Sequence, residues 1–319
     1  MADDATMIVT GVPEEARRWV RHQQLRGRRI AFVPTMGALH EGHLALVRRG
    51  RQLADAVAVS IFVNPTQFGP GEDFQQYPRC LDDDLRLLGQ EGVSLVLTPD
   101  RQAIYPPRFS TYVTPPAVAR GFEGEHRGEH FHGVCTVVLK LFHIVPADVA
   151  VFGQKDYQQA RVIIDMVEDL DLAIEIDVMP TVRQHDGLAL SSRNRYLTAD
   201  GRQRALGLYR ALAATKDAYR GGQRDAAQLQ RVMRQVLDEA GLDAIDYAEV
   251  VDPVTLQPLT ELLSPPSSPD SLSNSLSNSL SNPTSKLTGS TSGGAAAAAV
   301  ALIAARLAAT RLIDNCLLT

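Results

Sequence analysis

Short apolar runs rich in β-branched residues alternate with helix-like stretches through the first half of the chain. The runs are Ile30 to Pro34, Ala56 to Val63, Val93 to Thr98, Asp148 to Gly153 and Ala173 to Val178. Between them, Leu44 to Ala54, Cys80 to Glu91, Gly133 to Val145 and Asp156 to Asp169 carry apolar residues at helical spacing. Strands separated by whole helices cannot pair as hairpins. The alternation therefore predicts an α/β fold, a Rossmann-like parallel sheet covered by helices on both faces. Such sheets bind ligands outside the carboxyl ends of their strands, where the strand order reverses. The loops from Met36 to His43, Asn64 to Phe68 and Gly153 to Asp156 each follow a predicted strand, so one cleft can collect all three.

After Val182 the character changes. Two amphipathic helices are expected at about Ala199 to Arg220 and Ala226 to Ala240, then a strand from Ala244 to Val251. A chain of 319 residues exceeds one typical core. A boundary near Gln184 gives an α/β domain at 1–184 and a smaller α+β domain at 185–319. Within the second, Ser264 to Gly294 is dominated by Ser, Asn, Pro and Gly, with Ser-Leu-Ser-Asn repeated three times from Ser271. Too little apolar area accompanies its leucines to offset ordering, and disorder is expected. The alanines Ala295 to Ala299 favour helix by propensity.

His40 and His43 carry the strongest chemical signal. They lie in Pro34-Thr35-Met36-Gly37-Ala38-Leu39-His40-Glu41-Gly42-His43, directly after the run Ile30 to Val33. Gly37 and Gly42 permit a tight turn, and a helix starting near Gly42 would aim its free N–H groups at an anion. Two imidazoles at that corner can reach phosphate oxygens, and a protonated one would stabilise charge on a leaving pyrophosphate. The zinc-protease reading of His-Glu-Gly-His fails, because one residue too few separates Glu41 from the second histidine.

Three further clusters are weaker alone. Gly153-Gln154-Lys155-Asp156 sits at another strand-to-helix corner, where Asp156 would cap the helix and Lys155 would supply a point charge for phosphate. Leu190-Ser191-Ser192-Arg193 offers two hydroxyls and a guanidinium fork suited to triphosphate oxygens. The first reads equally as a surface corner with a solvated lysine, and the second, taken alone, reads better as an ordinary turn with a helix cap. In Asn64-Pro65-Thr66-Gln67, the Gln67 amide can donate and accept at once, which suits a small hydroxy acid. Asp82-Asp83-Asp84 reads best as a helix start, with a magnesium role still open.

The net charge of −5 gives no basic footprint for nucleic acid. Cys80, Cys135 and Cys316 are unpaired in spacing and suit a reducing cytoplasm. No segment approaches the ~18 apolar residues of a membrane span, and Asp3 and Asp4 replace the apolar core of a signal peptide.

Taken jointly and in order, Pro-Thr-Met-Gly-Ala-Leu-His-Glu-Gly-His, Phe-Val-Asn-Pro-Thr-Gln-Phe, Phe-Gly-Gln-Lys-Asp-Tyr-Gln-Gln and Leu-Ser-Ser-Arg-Asn resemble the pantothenate synthetase family, pantoate and β-alanine ligases with a nucleotidyltransferase-type fold. The resemblance covers Val33 to Val251 and resumes over Ala305 to Asn315, and through it a strand is expected in part of Val300 to Ile313. It implies that pantoate is adenylated by ATP with loss of pyrophosphate, and that the β-alanine amine then displaces AMP. On this chain it implies that Met36, Gly37, Ala38, Leu39, His40, Glu41, Gly42 and His43 line the ATP site. His43 would donate a proton, and His40 would lie beside the phosphates. Gly153, Gln154, Lys155, Asp156, Val182, Leu190, Ser191, Ser192 and Arg193 would complete that site, with Lys155 and Ser191 to Arg193 on phosphate. Gln67 and Gln159 would hold pantoate, with Gln67 also near β-alanine, and Mg2+ would bridge phosphates with help from Asp83 or Asp84. A homodimer is implied as well.

The chain departs from the family pattern at Leu190, where Met is usual, and at Gly128, where Pro is frequent and where glycine is expected to loosen the loop. A rival reading keeps the histidine chemistry with another acceptor, as in adenylyltransferases for phosphopantetheine or a nicotinamide nucleotide. A second makes the chain an inactive scaffold whose Ser/Asn-rich segment recruits a partner.

Overall fold

The computed structural model describes residues 7–262, 285–286, 297–308 and 310–319. The chain forms two compact units, Met1–Gln154 with Gln158–Pro180, and Lys155–Tyr157 with Thr181–Thr319.

The first unit is built on six parallel strands, β1 (Ile8–Thr10), β2 (Ile30–Thr35), β3 (Ala56–Ile61), β4 (Leu95–Leu97), β5 (Val149–Gly153) and β6 (Glu175–Met179), in the order β1-β4-β3-β2-β5-β6. Seven helices accompany them: α1 (Pro13–Leu25), α2 (Glu41–Leu53), α3 (Leu81–Gln90), α4 (Arg101–Ile104), α5 (Phe122–Arg127), α6 (His130–Ile144) and α7 (Tyr157–Asp169). Strands β2 to β5 read as continuous apolar runs because both faces are covered. Ala31, Val33, Val57, Val59, Val96, Val149 and Val151 form one packed cluster with Val47 of α2 and Leu88 of α3.

From β2 the chain winds outward through β3 and β4, then returns to place β5 on the other side of β2. The strand order thus reverses between β2 and β5, the position where such sheets open a ligand crevice. The pairing of these strands is short, with Ala31 opposite Val149 and Phe32 opposite Ala150. Beyond that, β2 stays with β3 as far as Thr35 and β5 stays with β6 as far as Gly153. The two strands part at their exits, each carrying one of the motif loops.

The second unit packs α8 (Ala199–Arg220) and α9 (Ala226–Glu239) on an antiparallel sheet in the order β10-β9-β7, with β7 at Ala244–Val251, β9 at Ala299–Leu307 and β10 at Thr310–Leu318. Ser285–Lys286 is a two-residue strand, β8. Leu208, Leu212, Leu229 and Met233 of the helices share a core with Ala301, Ile303 and Ala305 of β9. This corrects the helix expected over Ala295 to Ala299. Ala298 N–H donates to Leu318 O at 3.0 Å and β9 begins at Ala299. Burial between a sheet partner and two helices outweighs the few tenths of a kcal/mol per residue, roughly, that alanine gains as helix. The remainder of that run, and the disorder expected for Ser264 to Gly294, lie outside the described residues apart from β8.

Candidate active site

The corner between β2 and α2 is fixed from below by a buried acid. Asp84 in the first turn of α3 is 2% exposed, and its two carboxylate oxygens accept from Ala38 N–H at 2.9 Å and Leu39 N–H at 2.8 Å. Gly37 has φ +80°, and a Cβ there would lie 3.0 Å from both Asp84 Oδ2 and Ile61 Cγ2, so only glycine fits. Thr35 Oγ1 donates to Ser60 O at 2.8 Å and accepts from Gly37 N–H at 3.2 Å. Every turn of this loop is therefore tied to the sheet or to α3.

His40 is the N-cap of α2. Its Nδ1 accepts from Gly42 N–H at 3.1 Å, while His43 Nδ1 accepts from His40 N–H at 3.3 Å. The rings lie 4.1 Å apart at 37°. Because both Nδ1 atoms are acceptors, each neutral ring carries its hydrogen on Nε2. Two Nε2–H donors are thus gathered at one corner, while the Gly42, His43 and Leu44 N–H groups of the helix start are taken up within the cap, the first by His40 Nδ1 and the other two by His40 O. Glu41 is directed elsewhere, into an ion pair with Arg48.

At the exit of β3, Gln67 is buried. Its Oε1 accepts from Asn64 Nδ2 at 3.1 Å, and its Nε2 lies 3.1 Å from Met36 Sδ, which joins this loop to the β2 corner. Asn64 Oδ1 accepts from Tyr105 OH at 2.8 Å and Thr66 Oγ1 at 3.0 Å. Helix α6 approaches so closely that a Cβ on Gly133 would lie 2.2 Å from Thr66 O. In α7, the adjacent glutamines diverge. Gln158 is spent on structure, accepting from Glu123 N–H and donating to Val118 O and Gly121 O, whereas Gln159 is half-buried one position on.

The backbone of Gln67 is held by a charged chain that the sequence reading did not pick out. His130 Nδ1–H donates to Gln67 O at 2.7 Å, and Arg127 Nη1 donates to His130 Nε2 at 3.0 Å. Arg127 in turn grips Glu72 in a fork, at 2.8 and 2.7 Å. Burial first, then the neighbouring Arg127 guanidinium, push the His130 pKa down to about 4, so the ring is neutral with its hydrogen on Nδ1. Burial works against the Glu72 carboxylate too, but the Arg127 hydrogen bonds and charge outweigh it and hold that acid below its usual range. Gly128 sits between Arg127 and His130 at φ +52°, which a proline ring, fixed near φ of about −65°, cannot adopt. Glycine does not loosen this loop, because its neighbours on both sides are hydrogen-bonded into the chain.

In the second unit, Lys155 and Asp156 lie in one 3-10 turn, with Lys155 Nζ 3.8 Å from Asp156 Oδ1. Val182 O accepts from Leu190 N–H at 3.0 Å, closing a hairpin that delivers Ser191. Ser191 caps the next turn, its Oγ accepting from Arg193 N–H at 3.3 Å, so Ser192 and Arg193 sit at the start of a 3-10 helix. Gly153 ends β5, and Gln154 is the first residue of the 3-10 turn that holds Lys155 and Asp156.

These features meet a known pattern. The family described as Pantoate-beta-alanine ligase matches residues 8–317. The chain belongs to the pantoate-beta-alanine ligase family. Pantothenate synthetase of Pelotomaculum thermopropionicum is 48% identical over 259 residues, 81% of this chain and 92% of that protein. The Chloroflexus aurantiacus enzyme of the same name is 54% identical over 233 residues, 73% and 83% of the two chains. Among solved structures, Thermus thermophilus pantothenate synthetase aligns with a TM-score of 0.83 at 38% identity, covering 97% of this chain and 99% of its own. A pantoate-beta-alanine ligase from Francisella tularensis, complexed with beta-gamma ATP and beta-alanine, aligns at 0.71 with 30% identity over 98% of both.

For this ligase, the aspartates expected near magnesium do other work. Both Asp84 oxygens are occupied by backbone N–H groups, and the Asp83 side chain is 74% exposed beside Arg86. Among the described residues no group of three or more His, Cys, Asp or Glu could hold a metal ion. Asp83 and Asp84 therefore do not fit a magnesium site built by the protein. No helix among the described residues is long and apolar enough to cross a membrane.

Proposed function

We propose that this chain condenses pantoate with β-alanine to pantothenate, with ATP converted to AMP and pyrophosphate through a pantoyl adenylate. In the first step a pantoate carboxylate oxygen bonds to the α-phosphorus while the bond to the β-phosphate oxygen breaks, releasing pyrophosphate. In the second the β-alanine nitrogen bonds to the acyl carbon, AMP departs, and the amine gives up a proton. Family membership supports the reaction. The observation that carries the site is the cap of α2, where two imidazoles present Nε2–H groups at the start of a helix.

In this reading Met36 to His43, Gly153 to Asp156, Val182 and Leu190 to Arg193 bind ATP. The His43 Nε2–H donates to the phosphate oxygen that gains charge as pyrophosphate leaves, with His40 beside it. Preorganised donors of this kind are typically worth roughly 100- to 1000-fold in rate. Lys155, Ser191, Ser192 and Arg193 neutralise the remaining phosphate charge. Gln67 and Gln159 hold pantoate by their amides, and Gln67 also meets the β-alanine amine. Magnesium brought in with ATP would neutralise part of its phosphate charge. Residues 1–184 act as the nucleotide-binding domain and 185–319 as the lid that shields the adenylate from water. The enzyme works as a homodimer in the cytoplasm, a setting suited to a Cys135 thiol whose pKa burial pushes up to about 12 and which stays protonated.

The test is pyrophosphate release from ATP and magnesium. The reading requires release that depends on pantoate and pantothenate formation that depends on β-alanine. Release driven by a different acceptor, or none with any acceptor, overturns it.

A further inference from the structure

Strand β10 carries Arg311-Leu312-Ile313-Asp314-Asn315, a run to which the reaction so far gives no part. Two of its polar residues are buried in β10, Asp314 at 4% and Asn315 at 2% exposure, where polar side chains must find partners.

Asp314 accepts both arms of the Arg183 guanidinium, at 2.6 Å from Nη1 and 2.9 Å from Nη2. The same guanidinium donates to Gly187 O at 3.0 Å and to Asn315 O at 3.3 Å. Arg183 follows Val182 in the hairpin that runs into Ser191, and that hairpin is closed further by Gln184 N–H to Leu188 O at 2.8 Å. Asp314 thus clamps the hairpin that delivers Ser191 to Arg193. Asn315 serves a different segment. Its Nδ2 donates to the carbonyl oxygen of Lys155 at 2.9 Å, and two residues on, Tyr157 OH donates to Pro253 O at 2.9 Å. Successive residues of a strand face opposite ways, which lets two neighbours reach two segments.

A buried Asp–Arg pair is a weak source of stability compared with an apolar pair of the same volume. Its advantage is geometric, since it admits one arrangement of the backbone it holds. We infer that Asp314 and Asn315 are positioning residues for the adenylate-forming step, setting where Ser191 to Arg193 and Lys155 present their charges to the triphosphate. The inference rests on the assignment of those groups to phosphate given above. Neither residue touches substrate, and both act through the segments they hold.

The full-length enzyme is assayed for two half-reactions: pantoate-dependent exchange of labelled pyrophosphate into ATP, and amide formation from supplied pantoyl adenylate and β-alanine. Asn315→Ala should slow exchange by roughly 10- to 100-fold, the range expected for displacing a charged group by up to about 1 Å. Amide formation should stay within about twofold, and the Lys155→Ala/Asn315→Ala double variant should be no slower in exchange than Lys155→Ala, as for residues acting as a unit. A general structural role predicts equal losses in both half-reactions and additive losses in the double variant, and either result overturns the inference. Asp314→Asn, which keeps the shape, carries the same comparison if Asn315→Ala does not fold: slowed exchange with intact amide formation supports the inference, and unchanged exchange overturns it. Normal exchange in Lys155→Ala removes both the phosphate assignment and the inference. Slow exchange there beside an unaffected Asn315→Ala sinks the inference alone.

Discussion

Acidification should destabilise this enzyme through His130. The imidazole is 5% exposed, and burial together with the adjacent Arg127 guanidinium lowers its pKa from 6.5 to about 4, while Gln67 O, Glu123 and Glu72 pull the other way. In the unfolded chain the ring takes up a proton near pH 6.5, and in the folded chain only near 4. Between those values the unfolded state binds more protons, so the stability present above about pH 6.5 is lost as pH falls. The whole gap corresponds to about 3 kcal/mol, of which about 2 kcal/mol is gone by about pH 5. The physical cost is plain: a proton on Nε2 would face Arg127 Nη1, 3.0 Å away, and Arg127 is locked to Glu72. Urea unfolding of the wild type and His130→Asn, at about pH 7 and about pH 5, measures it. Asparagine sets an N–H near the position of Nδ1 and does not titrate, and all other titrating groups are common to both chains. The wild type's advantage should shrink by about 2 kcal/mol between the two conditions. A stability difference that stays constant with pH would refute the reasoning, as would a His130 imidazole 15N resonance that titrates near 6.5.

Three further outcomes follow from the site. Asp84→Asn keeps the shape but sets an amide N–H against Ala38 or Leu39 N–H, so it should cost about 1–3 kcal/mol in urea unfolding and lower turnover with it. His43→Ala should slow pantoate-dependent pyrophosphate exchange by roughly 100- to 1000-fold with little change in melting temperature, and His43→Gln, which can place an N–H near Nε2, should recover part of the loss. Gly133→Ala forces a methyl group to within 2.2 Å of Thr66 O, a backbone atom that cannot swing aside, so it should destabilise by about 1–3 kcal/mol and raise the KM for pantoate more than that for ATP.

The parallel sheet was legible because its strands are buried on both faces and so appear as apolar runs, with helices between them. Helix α8 was legible to the residue, since Thr198 caps its start, accepting from Gly201 N–H, and glycine follows its end. The first strand and helix were not read, although α1 announces itself with Pro13 at its first position, Glu14 and Glu15 in its first turn, and Ala16, Val20 and Gln23 buried on one face. Its strand β1 is three residues long with Ile8 and Val9 exposed, too short for a periodic signal. The alanines leading into β9 misled because local propensity cannot register the sheet partner that arrives from β10. At the site, the strand-turn-helix corner with His40 and His43 is written in consecutive residues. The role of Asp84 is not, because its partners are backbone N–H groups more than forty positions earlier, and a backbone atom leaves no mark in a sequence.

That last point generalises within this molecule. Asp84 holds Ala38 N–H and Leu39 N–H, His130 holds Gln67 O, and Asn315 holds Lys155 O. In each case a buried polar side chain grips the main chain of a segment carrying proposed chemistry and leaves the reactive side chain untouched. An apolar replacement for the holder would strand a buried N–H or C=O, at a cost of about 1–3 kcal/mol, whereas replacing His43 gives up only a 3.3 Å hydrogen bond from the half-buried His40 N–H. Substitutions of holders should therefore appear first as lost stability and substitutions of reactive residues as lost rate. Because a holder also sets geometry, its rate effect should concentrate in the step its own segment serves: exchange for Asn315, and pantoate KM for His130. That pairing of residue with kinetic step separates positioning by backbone from general weakening of the fold, which would slow every step alike.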